Sequence, residues 1–232
     1  SIPQKGIYRN SFEKLTLSTY RYPNDDRIMK KLDIEKWERK GIYDMFRHLD
    51  FPFYHVAFRV DVTNLKRFTK VHGLSFYYSL VYLVGKAANS IECFRLRFID
   101  GKIYDVGETI PSLTFLKKGS EAFQVVNCAL TSSLEEYTDK VMSLTDCQTV
   151  FSGGEDCPEY QLIYMSCLPW IDMTSSSSEH FLNPDDAIPR IAWGKYIEKD
   201  ERLSLGMSVD ANHKVIDGYH IGKFYERLQQ MI

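Results

Sequence analysis

A chain of 232 residues, 44% hydrophobic and 14% aromatic, can bury one sizeable core without needing a second domain. Its formal net charge is −2 and its Lys and Arg residues are dispersed, so there is no basic stripe to track a phosphate backbone, and nucleic acid is not an expected partner. The longest apolar run, Leu80–Val84, is far short of the roughly 20 residues of a membrane span, and five cysteines without a C-x-x-C pair suggest reduced thiols, not a disulfide frame or zinc site.

Ser1–Asp26 lacks an apolar h-region and carries both signs of charge, which argues against a secretory signal and for a cytoplasmic protein. Residues 1–28, with Pro3 and Pro23, are expected to form an arm or extension, and 29–232 the functional domain. Ile34, Trp37, Ile42, Tyr43 and Phe46 space out as one short helix over Asp33–Phe46, weakened by Gly41. His55–Val62 alternates as a half-buried strand, and helices follow over roughly Asn64–Val71 and Ser75–Asn89, the second apolar nearly all round and so buried.

Arg95–Phe98 and Lys102–Asp105 flank an Asp100-Gly101 hairpin turn. Strands are expected at Ser112–Phe115 and Glu121–Leu130, and Ser133-x-x-Glu136 is a capping box opening a helix through Leu144. Cys147–Glu159 reads as loop, Gln161–Leu168 as a strand, and Ser175–Ser178 as a flexible run. Arg190–Ile197 and Leu203–Val209 are strands around a charged turn, Glu198–Arg202, and a helix follows Asp217-Gly218. Strands and helices mixed without a strict βαβ repeat point to an α+β two-layer sandwich with a mixed sheet covered by helices.

One segment carries chemistry. Asn212-His213-Lys214-Val215-Ile216-Asp217-Gly218 places a histidine at a strand end, four residues before an Asp-Gly turn into a helix. Histidine alone has an unperturbed pKa that lets it take and return a proton near neutrality, which makes His213 a candidate general base. On the motif by itself, a strand-end histidine and a helix-capping Asp217 explain the pattern equally well.

Further motifs, in one order from about Leu32 to Met231, resemble the chloramphenicol acetyltransferase family. The family's closing motif is similar to His213 through His220, its serine before Leu-Pro-Trp to Ser166-Cys167-Leu168-Pro169-Trp170, and its Trp-x-Arg to Trp37-Glu38-Arg39. Asp61-Val62-Thr63, Phe94-Arg95 and Gly194-Lys195-Tyr196 match as well.

The resemblance implies a CoA-dependent O-acetyltransferase with acetyl-CoA as acyl donor and no metal. His213 takes the proton of an alcohol attacking the thioester, and Ser166 donates to the oxyanion. Asp217 pairs with Arg39 as structural support of the site, without touching His213. Phe46, Phe53 and Phe123 fall on acceptor-pocket positions and suit an aromatic, poorly charged alcohol such as chloramphenicol. The family also implies a homotrimer with each site at a subunit boundary. Departures are Ala192 where the family commonly has a water-holding threonine, Asn212 where it has a second histidine, the serine run, and Phe53 at the pocket wall. A dihydrolipoamide acyltransferase domain, or a non-catalytic trimeric binding protein of the same fold, is the alternative, although Asn212-His213-Lys214 replaces the Asp-His-Arg of the former.

Overall fold

In the computed structural model, which describes residues 29–232, the alternating segment becomes strand β2, Phe53–Asp61. The expected arm, residues 1–28, lies outside the described residues. β2 pairs antiparallel with the long strand β11, Arg202–Asn212, over its full length, from Ser204 opposite Asp61 to Asn212 opposite Phe53. On the other side β11 meets β9, Arg190–Gly194, and the short β10, Ile197–Lys199. Beyond β9 come β8 (Leu162–Leu168), β5 (Ile110–Leu116), β6 (Phe123–Asn127) and β7 (Ser152–Gly154), completing an eight-stranded sheet. The β9–β8, β8–β5 and β6–β7 pairings are parallel and the rest antiparallel, so the sheet is mixed as expected. A second sheet of three strands holds β1 (Lys30–Lys31), β4 (Lys102–Asp105) and β3 (Leu96–Ile99), with Asp100 and Gly101 both at positive φ in the tight turn between β3 and β4.

Period-two alternation sends Val60, Leu205, Met207, Val209, Ile191, Trp193, Ile163, Met165 and Leu113 to one face, where all are buried. Against them pack α2 (Thr63–His72), α3 (Phe76–Asn89), α4 (Leu134–Cys147) and α5 (Gly218–Met231). α3 is the central one, buried on nearly every side from Ser79 to Ala88, which is why its sequence shows almost no polar stripe. Its start is fixed by Ser75, whose hydroxyl accepts from the Tyr78 N–H.

The opposite face is half covered. Residues 171–178 run across β9 and β11: the Ser176 N–H donates to Ser208 Oγ at 3.0 Å, and the Ser178 N–H to Asp210 Oδ2 at 2.5 Å. Gly206 and Gly194 make this approach possible, because a Cβ at Gly206 would lie 1.8 Å from the Met173 carbonyl oxygen and one at Gly194 2.5 Å from Met173 Cβ. The serine run expected to be flexible is therefore pinned by its backbone amides, a device its composition could not reveal.

Other expectations shift for local reasons. The single helix over Asp33–Phe46 divides into a 3-10 turn at Ile34–Lys36 and α1 at Lys40–Phe46, because Trp37 is extended and Arg39 turns inward. The capping box at α4 is half formed: Ser133 Oγ accepts from the Glu136 N–H, while the Glu136 carboxylate takes the Ser132 hydroxyl. The loop after α4 contains β7, held near β6 by Gln148, whose Nε2 donates to the carbonyls of Val125 and Val150 at 2.9 Å each. The strand expected over Arg190–Ile197 breaks after Gly194, where the Lys195 N–H turns to the Ile171 carbonyl at 2.7 Å.

Candidate active site

The turn that follows β11 is built from the family-like segment. The His213 N–H donates to the Pro52 carbonyl at 2.7 Å, which ties the turn to the start of β2. The imidazole lies between two aromatic rings, Phe46 of α1 at 4.2 Å and 15° on one face and Tyr54 of β2 at 4.3 Å and 17° on the other. A ring covered on both faces can meet another molecule only through its edge, not its π-surface. Its Nδ1 is buried and has no hydrogen-bond partner among the described residues. Burial, then the nearby Asp217 charge, pushes the Tyr54 phenol up to about 12, so that hydroxyl stays neutral beside the imidazole.

Asp217 serves two functions. Its Oδ1 accepts the Tyr219 N–H at 3.0 Å and caps α5, and its Oδ2 accepts Arg39 Nη2 at 2.9 Å and Nε at 3.2 Å. Arg39 is itself buried, also donates to the Val215 carbonyl, and its guanidinium sits 5.2 Å over the Trp37 ring. The Trp-x-Arg motif is thus a stack and a brace in one unit. Burial alone would raise the Asp217 carboxyl, but the charges of His220 and Arg39 and the hydrogen bonds outweigh it and hold it below the ordinary carboxylate value. His220 closes the capping box by accepting the Asp217 N–H at Nδ1, 3.3 Å. The same nitrogen lies 2.9 Å from Asp217 Oδ1; burial, foremost, lowers the His220 pKa, and the facing carboxylate opposes that.

Ser166 stands elsewhere. Its Oγ lies 3.1 Å from Thr114 Oγ1 across the β5–β8 pair, on the uncovered part of the sheet. Its neighbour Cys167 points toward Trp193, and burial lifts that thiol to about 12, removing a competing thiolate. Phe53 stacks on His180 at 4.1 Å with Phe51 edge-on at 4.9 Å, whereas Phe123 sits on β6, half exposed and 5.5 Å from Phe151.

The register measures how far these groups are apart. Ser166 is opposite Ala192, which is opposite Ser208. Two strand spacings of about 4.8 Å, and five further residues to His213 at about 3.3 Å each, put serine and histidine of one chain on the order of 20 Å apart. An oxyanion donor and the base for one tetrahedral carbon must lie within about 8 Å of each other, since each bonds an oxygen of the same centre at under about 3 Å. The structure therefore brings Arg39, Phe46, His213 and Asp217 together, leaves Phe53 beside His180 on the other face of β2 from Tyr54, and sets Ser166 and Phe123 apart from both. Tyr54 and Thr114 are the members sequence reasoning missed. Tyr54 continues the Val56, Phe58, Val60 alternation and could have been placed beside His213, but Thr114 meets Ser166 only through strand register, for which there is no local signal.

The sequence profile described as "Chloramphenicol acetyltransferase" matches residues 28–229. The chain belongs to the chloramphenicol acetyltransferase family. Chloramphenicol acetyltransferase 3 of Escherichia coli is 26% identical over 204 residues, covering 87% of this chain and 95% of that protein. A chloramphenicol acetyltransferase of Clostridium perfringens is 27% identical over 206 residues, covering 86% and 93%. Among solved structures, a chloramphenicol acetyltransferase superposes with a TM-score of 0.79 at 24% identity, covering 88% of this chain and 99% of that one. The truncated catalytic core of the 2-oxoacid dehydrogenase multienzyme complex from Thermoplasma acidophilum follows at 0.59 and 14%, covering 84% and 94%, a likeness of fold alone. The family is one of CoA-dependent acetyltransferases, and its fold is the α+β arrangement described above. Among the described residues no helix is long and apolar enough to cross a membrane, and no group of three or more His, Cys, Asp or Glu side chains is placed to hold a metal ion.

Proposed function

We propose that this chain transfers the acetyl group of acetyl-CoA to a hydroxyl of chloramphenicol or a similar small alcohol, acting as a homotrimer in the cytoplasm and without a metal. His213 accepts the hydroxyl proton as the oxygen attacks the thioester carbonyl. The tetrahedral oxyanion takes a hydrogen bond from Ser166, placed by Thr114 where charge exists only at that stage. Collapse expels the CoA thiolate, which recovers the proton from the imidazolium, so the base is restored and no acyl-enzyme forms.

The observation that carries this reading is the imidazole held between Phe46 and Tyr54 on a turn braced by Arg39 and Asp217. The 20 Å separation derived above supports a site shared between subunits, with His213 from one chain and Ser166 and Phe123 from its neighbour. Phe46 and Phe53 add an apolar wall suited to an aromatic, uncharged acceptor. Ala192, buried between Ser166 and Ser208 in the register, offers no hydroxyl to a site water. Thiol release from acetyl-CoA in the presence of chloramphenicol tests the proposal. His213→Ala is expected to lower turnover by ~10²–10⁴ with folding intact. Undiminished turnover in that variant, or acetylation of dihydrolipoamide and of no alcohol, refutes it.

A further inference from the structure

Lys214 follows the proposed base directly, and its side chain is 2% exposed. Its ammonium lies 2.5 Å from Asp185 Oδ1 and 4.4 Å from the centre of the Phe98 ring on β3. Desolvating an ammonium is unfavourable unless a partner compensates, and Asp185 and the ring face are the compensation here. On the other side of His213, Asn212 is equally buried, and its Nδ2 donates to the carbonyls of both Pro184 and Asp186 at 2.9 Å. Its Oδ1 accepts the Lys214 backbone N–H at 3.1 Å, so the Asn212 side chain also holds the main chain of the turn just past His213.

The residues flanking His213 thus grip one short loop, 184–186, by different means: Asn212 holds two of its carbonyls and Lys214 holds its carboxylate. That loop leads to the acceptor side. Asp186 accepts Arg190 Nη2 at 2.7 Å and lies 3.4 Å from His180 Nδ1, and His180 stacks on Phe53. The Asp186 carboxyl is held below its ordinary value because the Arg190 pairing and backbone and His180 hydrogen bonds outweigh burial, the largest single influence, which acts the other way. A continuous set of contacts therefore runs from the turn of the base, through Lys214 and Asp185, to the wall carrying Phe53.

We infer that Lys214 is a positioning residue for the transfer, fixing the edge of the His213 imidazole relative to the Phe53–His180 wall by clamping the 184–186 loop through Asp185. It touches no reacting atom and acts through the turn it belongs to. The inference rests on the reading of His213 as base, and it adds a residue that resemblance to the family does not assign.

Lys214→Met keeps the apolar stem and removes the clamp. Displacing a base by about 1 Å costs up to about 10²-fold, so kcat is expected to fall by about 10- to 100-fold while KM for acetyl-CoA stays within about twofold. Asp185→Asn, which preserves shape, should shift kcat in the same direction. Peptide-resolved modification of His213 by diethylpyrocarbonate gives a readout besides activity, and its rate should rise at least about fivefold in Lys214→Met as the ring loosens. Unchanged kcat with unchanged modification rate overturns the inference, as does a joint fall of kcat, both substrate affinities and melting temperature, which marks general unfolding. Should the wild-type protein acetylate no alcohol, the proposed function fails by itself, and the modification rates still decide whether Lys214 holds His213.

Discussion

Replacing Arg39 by Met isolates the brace beneath the histidine turn. The side chains of Arg39 and Asp217 are 10% and 20% exposed and meet through two N–H groups on one carboxylate oxygen. Breaking a buried pair by removing one partner costs about 3–5 kcal/mol because the remaining charge is left uncompensated. Asp217 keeps the Tyr219 N–H and some contact with water, which places the loss at the lower end, about 3 kcal/mol. For a domain of this size each kcal/mol moves the melting temperature by about 2–4 °C, so a drop of about 6–12 °C is expected by calorimetry at pH 7 and at matched protein concentration. The gap also depends on pH. The folded-state pKa of Asp217 is depressed, so the pair's contribution is fully present above the ordinary carboxylate value near about 4 and is lost as pH falls through the lower folded value. The difference between wild type and Arg39→Met must therefore narrow on acidification below about pH 4. A melting temperature within about 1 °C of wild type, or a gap indifferent to acid, would show that the brace carries no stability.

Two further outcomes follow from the same geometry. On the proposed reading, Ser166→Ala should lower kcat by ~10²–10³ with CoA affinity unchanged by calorimetry, since a preplaced oxyanion donor acts only on charge formed during the reaction; a loss confined to KM contradicts that assignment. Gly206→Ala sets a methyl against the Met173 carbonyl, which backbone cannot easily yield, so a destabilisation of about 2–3 kcal/mol and new proteolysis within 171–178 are expected, and a stable, protease-resistant variant refutes the close contact.

Much of this fold was legible because its signals are local. The alternation of β2, the apolar character of α3 and the Asp100-Gly101 turn each follow from spacing that a single strand, helix or hairpin requires. What escaped was set by distant partners. The serine run is held by Ser208 and Asp210, thirty-two residues along the chain in each case, and glycine at 206 admits it. β7 has too few residues for periodicity and exists because Gln148 and β6 recruit it. Within the site, Asp217 is the helix cap that the His213–Gly218 motif allowed through one oxygen and the Arg39 partner through the other.

The same sheet explains why the site divides. On its helix-free face, residues 171–178 cover β9 and β11 only, so Ser166 and Thr114, both half-buried, and the exposed Phe123 stay open on the β8–β5–β6 side. His213 lies past the other end of β11 with its two ring faces occupied, and no rotation of its side chain closes a gap of about 20 Å. A chain that kept both groups for one reaction could use them only by meeting another copy, its open serine face against the histidine turn. On the proposed reading, then, association and catalysis are one requirement: a monomer holds two incomplete half-sites, and a substitution that prevents association without touching Ser166 or His213 must abolish acetyl transfer as fully as removal of the base.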